Sequence, residues 1–285
     1  EALEQLFEHA PVMIVTHCED SPMIWENEDK AREEFGEDVP MSEHPRIRSA
    51  EACLKSSAYA IDLASRHDAL LHVLHLTTAI EMGQFSEGDR SDKRITAEVC
   101  VHHLWFDESR YADMGTRIKC NPSIKSAEDR EALIAAVSSG RLDIIATDHA
   151  PHTADEKSNK YFKAPAGLPL VQHALMTLFD LADRGELQLE LIVDRTSHAP
   201  ADIFGVVDRG YVREGYYADL VLIDADKPYT VDSSNLLYKC RWSPFEGHTF
   251  SSSIELTMVN GTVVYRNGSL TGHITGQRLD FNRAR

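Results

Sequence analysis

Val12-Met13-Ile14-Val15-Thr16-His17 is an apolar, β-branched run that stops on a histidine. A run of this kind suits a strand buried on both faces, as in a parallel sheet. The same rhythm returns at Leu70 to His75, Ile95 to His103 and Asp143 to Asp148, each an apolar strand leading into a side chain able to bind metal. Four such segments with helical stretches between them predict an α/β fold, roughly the second half of a TIM-type (β/α)8 barrel. In such barrels chemistry sits at the carboxyl ends of the strands.

Around these strands the helical signals are local. Residues 1–10 read as the tail of a helix that Pro11 ends. Ala50, Cys53, Leu54, Ser57, Ile61 and Ala64 recur at helical spacing, so one face of that helix lies on the sheet. Ser126 followed by Asp129 forms a capping-box pattern that opens a helix closed by Gly140. A further helix is expected from Leu168 to Arg184, stopped by Gly185. The charged stretch from Cys18 to Arg48 reads as an irregular excursion over the barrel mouth, and 117–124 as an extended segment.

After about Gly205 the pattern changes to short alternating strands, and Asn260-Gly261 between apolar runs is a hairpin signal. The expected division is therefore 1–205, half of the barrel, and 206–285, a small β-sandwich-like domain with a tail. Four strand-helix units are half of what a closed barrel needs, and a half barrel leaves two sheet edges unpaired. The expectation is an N-terminal half that is not in this sequence, and the lack of an initiating Met points the same way.

The 285 residues, 42% of them hydrophobic, suffice for a full core, and the net charge of −17 opposes a nucleic-acid surface. An acidic ligand then needs local donors or metal to hold it. Five scattered cysteines without a Cys-x-x-Cys pair fit a reduced, cytoplasmic protein. No apolar run reaches the ~20 residues of a membrane span.

Met13, Val15 and His17 share a face of the first strand, as do Leu71, Val73 and His75 of the second. His17 and His75 thus end two strands at matching heights, where a metal role competes with a structural one. Asp148 closes a hydrophobic strand, which is costly unless the carboxylate is paired, binds a cation or caps the next helix. His149 and His152 beside it favour zinc, whose natural ligands are imidazole and carboxylate. His102 and His103, adjacent on a strand, face opposite ways and read as structural. Cys18 faces away from the site as a buried apolar thiol.

Several stretches together carry a resemblance: His17-Cys18-Glu19-Asp20, Leu74-His75-Leu76-Thr77, Ala97 to Leu104, Asn121-Pro122-Ser123-Ile124-Lys125, Ala146-Thr147-Asp148-His149-Ala150-Pro151-His152 and Ala218-Asp219-Leu220. In this order they resemble the dihydroorotases of the zinc-dependent amidohydrolase superfamily. Hydantoinases and allantoinases share the strand-end histidines but usually lack the second His after the Asp. The resemblance implies reversible, zinc-dependent hydrolysis of dihydroorotate to N-carbamoyl-aspartate in pyrimidine biosynthesis, with two zinc ions per complete site. By position it makes His17, His75 and Asp148 metal ligands and Asp148 the catalytic general base and acid. It makes Asn121, His152 and the backbone at Ala166 and Gly167 the substrate-binding groups, with His152 the partner of the substrate carboxylate.

The family's His-x-His-x-Arg motif and its bridging Asp or carboxylated Lys are absent from this sequence. The chain thus holds three of about six metal ligands and is expected to be inactive by itself. Two other readings stand beside this one. One is a hydantoinase, dihydropyrimidinase or allantoinase acting on a neutral cyclic amide. The other is a metal-free scaffold that binds a partner such as aspartate carbamoyltransferase. A homo-oligomer is compatible with each.

Overall fold

The computed structural model describes residues 2–282. Glu1, placed in the first helix by its sequence, and 283–285, the end of the expected tail, lie outside the described residues. Two compact units are present, one of residues 2–172 with 238–244, the other of 173–237 with 245–282.

The first unit is built on one parallel sheet whose strands lie in sequence order: β1 (Ile14–Thr16), β2 (Leu71–Val73), β3 (Ile95–Cys100) and β4 (Ile144–Ala146). Val15 pairs with His72, His72 with Thr96, and Val99 with Ile145. Helix α1 (Ala2–His9) precedes β1. Helices α2 (Ser21–Phe35), α3 (His44–Ile47) and α4 (Ala50–Arg66) separate β1 from β2, and α5 (Val101–Trp105), α6 (Tyr111–Met114) and α7 (Ala127–Ser139) separate β3 from β4. Because parallel strands need covered crossovers, β2 and β3 are buried almost throughout: Leu71, Val73, Ala97 and Val99 have no exposed surface.

Local chemistry explains the helices that matter for the site. Ser49 caps α4 by accepting from the Ala52 N–H, and the face with Ala52, Cys53, Ser57, Ala60, Leu63 and Ala64 is buried. The capping box at Ser126 and Asp129 is present on α7, and Gly140 ends it at φ +81°. Helix α8 (Ala154–Lys157), just beyond β4, has a second box of Thr153 and Glu156.

Three sequence expectations are corrected. The stretch 18–48 is not irregular: Asp20 accepts from the Met23 N–H at 3.0 Å to start α2, and Ile24 and Ala31 bury against Val39, Ile47, Ala52 and Tyr161. Its dense charge hid a helix that exposes most of its surface. The strand expected from Ile95 to His103 ends at Cys100, and α5 takes over. The helix expected from Leu168 begins only at Ala174, because Leu168 bridges in parallel to His149 beyond the end of β4.

The second unit holds α9 (Ala174–Asp183), α10 (Leu189–Val193) and α11 (Ala199–Phe204), and after them only strands of any length. Strands β5 (Leu220–Asp224), β8 (Ser253–Val259), β9 (Thr262–Arg266) and β10 (Ser269–Leu270) form an antiparallel sheet ordered β10-β9-β8-β5. A two-stranded ribbon pairs β6 (Tyr229–Thr230) with β7 (Thr249–Phe250). The hairpin between β8 and β9 turns on Asn260 at φ +49° and Gly261 at φ +79°, as the sequence predicts. Among the described residues no helix is long and apolar enough to cross a membrane.

Candidate functional site

His17, one residue past β1, and His75, two past β2, come together: His17 Nδ1 and His75 Nε2 are 3.1 Å apart and the rings cross at 73°. Zinc binds imidazole nitrogen at about 2.0–2.1 Å, which puts two nitrogens of a tetrahedral ion roughly 3.3 Å apart. The observed spacing fits that arrangement. Burial first, and then the neighbouring His17, hold His75 below the usual imidazole range, with Asp148 and Glu98 pulling the other way. His75 is therefore neutral at pH 7 and offers the lone pair of one ring nitrogen, and its buried Nδ1 has no partner.

The far side of His17 is fixed as well. Its Nε2 is 2.9 Å from Glu19 Oε2, and the same carboxylate oxygen accepts from Arg48. Burial alone would raise Glu19, but His17 and Arg48 overcome it and keep the carboxyl below its ordinary value. A carboxylate that fixes one ring nitrogen leaves the other aimed at a ligand, the arrangement that orients metal-binding histidines. Glu19 and Arg48 were not singled out by the sequence, although Glu19 lies only two residues from His17.

Asp148 lies two residues past β4 at φ +45°, and His75 is at φ +36°, both left-handed positions that non-glycine residues rarely adopt. The pleat alternation expected to carry His75 onto the face of Leu71 and Val73 stops at Val73. A turn aims the ring instead. Asp148 stands further from the imidazole pair: among the described residues, the trio of metal-capable side chains whose donors all fall within 4.8 Å of one another is Cys100, His102 and His103.

Of the expected substrate groups, His152, Ala166 and Gly167 lie beside one another beyond the end of β4. Asn121, which precedes a cis peptide bond to Pro122, has its buried Oδ1 without a partner. His152 Nε2 lies 3.2 Å from the Ala166 carbonyl, so this nitrogen donates. Trp242 Nε1 donates to the His152 carbonyl at 2.7 Å. Gly167 sits at φ +136°, and a Cβ there would come within 2.5 Å of the Ala150 carbonyl oxygen. Only glycine allows that approach. Lys157, buried in α8, donates from Nζ to the carbonyls of Lys119, Pro165 and Gly167 at 2.9, 2.9 and 3.0 Å and tethers this loop. His149, counted by the sequence as company for Asp148, uses Nδ1 to accept from the Leu170 N–H at 2.9 Å and stacks on Tyr238.

Cys18 is buried as expected, its thiol pushed up to about 11 chiefly by burial. His102 and His103 do not face opposite ways. Successive side chains on a helix diverge by about 100° rather than 180°, and their ring centres lie 4.0 Å apart on α5.

Residues 1–264 match the model of the amidohydrolase family. The chain belongs to that family. It is 37% identical over 218 residues to the dihydroorotase of Halobacterium salinarum, covering 76% of this chain and 50% of that protein. It is 32% identical over 271 residues to the dihydroorotase of Macrococcus caseolyticus, covering 94% and 62%. The amidohydrolase chain thus spans about half to three-fifths of the length of these relatives. Among solved structures it is similar to the L-hydantoinase (dihydropyrimidinase) from Arthrobacter aurescens, with a TM-score of 0.86 and 24% identity over 94% of this chain and 61% of that one. The fold is the α/β, TIM-type architecture predicted from the strand rhythm.

Proposed function

We propose that this chain is the carboxyl-terminal portion of a dihydroorotase, in which His17, His75 and Asp148 contribute to a two-zinc centre. The observation that carries the reading is the convergence of His17 Nδ1 and His75 Nε2 at 3.1 Å from separate strand ends. The curated dihydroorotase relatives support it. Held by these residues, zinc would lower the pKa of bound water to about 7 and polarise a carbonyl.

Within this chain, Asp148 takes the proton released as the ring amide is attacked and returns it to the departing ring nitrogen. Asn121 Oδ1, an unused buried acceptor, receives a ring N–H. His152 holds the substrate's carboxylate, which an acidic protein must grip locally, and the backbone at Ala166 and Gly167 completes the substrate-binding groups. The remaining ligands come from a barrel segment outside these residues; Val12 and Val15, 43% and 45% exposed at the β1 side, offer apolar surface for it. We assign 1–205 to the barrel and 206–285 to a small β-rich domain; the compact units divide instead after 172, with α9 to α11 grouped with the later strands. Five cysteines without a disulfide suit the cytoplasm.

The deciding experiment assays the intact protein with zinc on dihydroorotate beside hydantoin and dihydropyrimidine rings. Preference for dihydroorotate, abolished by Asp148→Asn with an unchanged circular dichroism spectrum, supports the assignment. Preference for a neutral ring moves it to the hydantoinase class, and substantial activity of Asp148→Asn removes that residue as proton carrier.

A further inference from the structure

The turn from β3 into α5 gathers three side chains that a continued strand would have separated. Donor atoms of Cys100, His102 and His103 all lie within 4.8 Å of one another, and the residues are 0%, 1% and 3% exposed. His103 Nε2 is 3.2 Å from the Pro122 carbonyl, which only accepts, so this nitrogen carries the proton. The buried Nδ1 of His103 is then a bare lone pair, and it has no partner. His102 has no partner at either ring nitrogen.

Two other buried histidines of the same unit, His72 and His44, have partners at both ring nitrogens. His72 meets Thr96 and Glu98, and His44 meets Tyr161 and the Cys120 carbonyl. An imidazole donor or acceptor left dry and unpaired loses its hydration without compensation, so structural histidines are seldom left this way. A bare imidazole nitrogen held by a carbonyl at its other end is how metal-binding histidines are oriented. Burial keeps both rings neutral, His102 at about 3 and His103 well below the usual range, so both lone pairs are available.

We infer that Cys100, His102 and His103 form a binding site for a transition-metal ion of the zinc class, distinct from the His17–His75 pair. A thiolate with two imidazoles is a donor set such ions favour. On binding, the Cys100 thiol loses its proton to solvent and the thiolate, with one nitrogen from each ring, takes the cation. The inference does not rest on the proposed activity.

The probe is cobalt(II), added to the full chain after removal of metal. A sulfur-to-cobalt charge-transfer band in the near ultraviolet requires a thiolate ligand, which His17, His75 and Asp148 cannot supply. The wild-type chain is expected to develop this band with one equivalent bound. Cys100→Ser loses it, while His17→Asn and Cys18→Ser keep it. Absence of the band from the wild-type chain at saturating cobalt overturns the site whatever the variants do. Its persistence in Cys100→Ser, or its loss in Cys18→Ser with a folded spectrum, also overturns it. Cobalt bound without the band supports the histidine pair and rejects this site.

Discussion

Replacing Lys157 by Met tests how the loop at 165–167 is held. Lys157 is 1% exposed, and its Nζ donates to three backbone carbonyls, those of Lys119, Pro165 and Gly167. Hydrogen bonds from a charged donor contribute about 1.5–3 kcal/mol each, or roughly 5–9 kcal/mol together. Against this stands the burial of the ammonium, which pulls Lys157 from 10.5 down to about 8 and so takes back about 3 kcal/mol. Met matches the length of the stem but leaves all three carbonyls dry, so the expected net loss is about 2–6 kcal/mol. Urea unfolding followed by circular dichroism reads this as a lower midpoint at an unchanged slope. Under the proposed dihydroorotase activity, KM of the intact protein for dihydroorotate should rise with kcat nearly kept, because the loop carries Ala166 and Gly167. A midpoint equal to that of wild type would show that the carbonyls find other partners and refute the tether.

Glu19→Gln keeps the shape of the contact to His17 but removes its charge. Zinc affinity at the histidine pair, measured by competition with a chelator, should fall about 10–100-fold, and no change would deny Glu19 its orienting role. His152→Ala should raise KM for dihydroorotate more than it lowers kcat, whereas an unchanged KM would place the carboxylate contact elsewhere. His44, fully buried between Tyr161 and the Cys120 carbonyl, is held well below the ordinary imidazole value, chiefly by burial. It stays neutral when folded and takes a proton on unfolding below its ordinary value near 6.5, so stability should fall as pH drops beneath about 6.5. His44 contributes at most about 1.4 kcal/mol per pH unit to this slope, beside the other buried histidines such as His102 and His103, and His44→Gln should reduce it by that much. A variant with the wild-type acid slope would disprove the assignment.

Much of the architecture was legible in the sequence because its signals are local. Apolar runs mark the centres of β1 to β4, Ser126 with Asp129 and Gly140 bound α7, and Asn260-Gly261 sets the hairpin. Each depends on neighbours within a few residues of chain. Helix α2 was missed because its charged residues face solvent and only Ile24 and Ala31 are buried. The end of β3 at Cys100 was missed because a buried strand and a buried helical turn share the same apolar composition.

The sequence by itself determined which residue types stand at the strand ends: His17, His75 and Asp148 follow apolar runs, and that order carries the likeness to dihydroorotases. Only the tertiary structure decided where their atoms point. His75 and Asp148 turn through left-handed backbone that no alternation rule foresees, and Glu19 meets Arg48 across 29 positions of sequence. Cys100, His102 and His103 converge because a helix begins one residue after the strand ends. Distance and direction between side chains are set by packing of distant segments, and a one-dimensional pattern does not contain them.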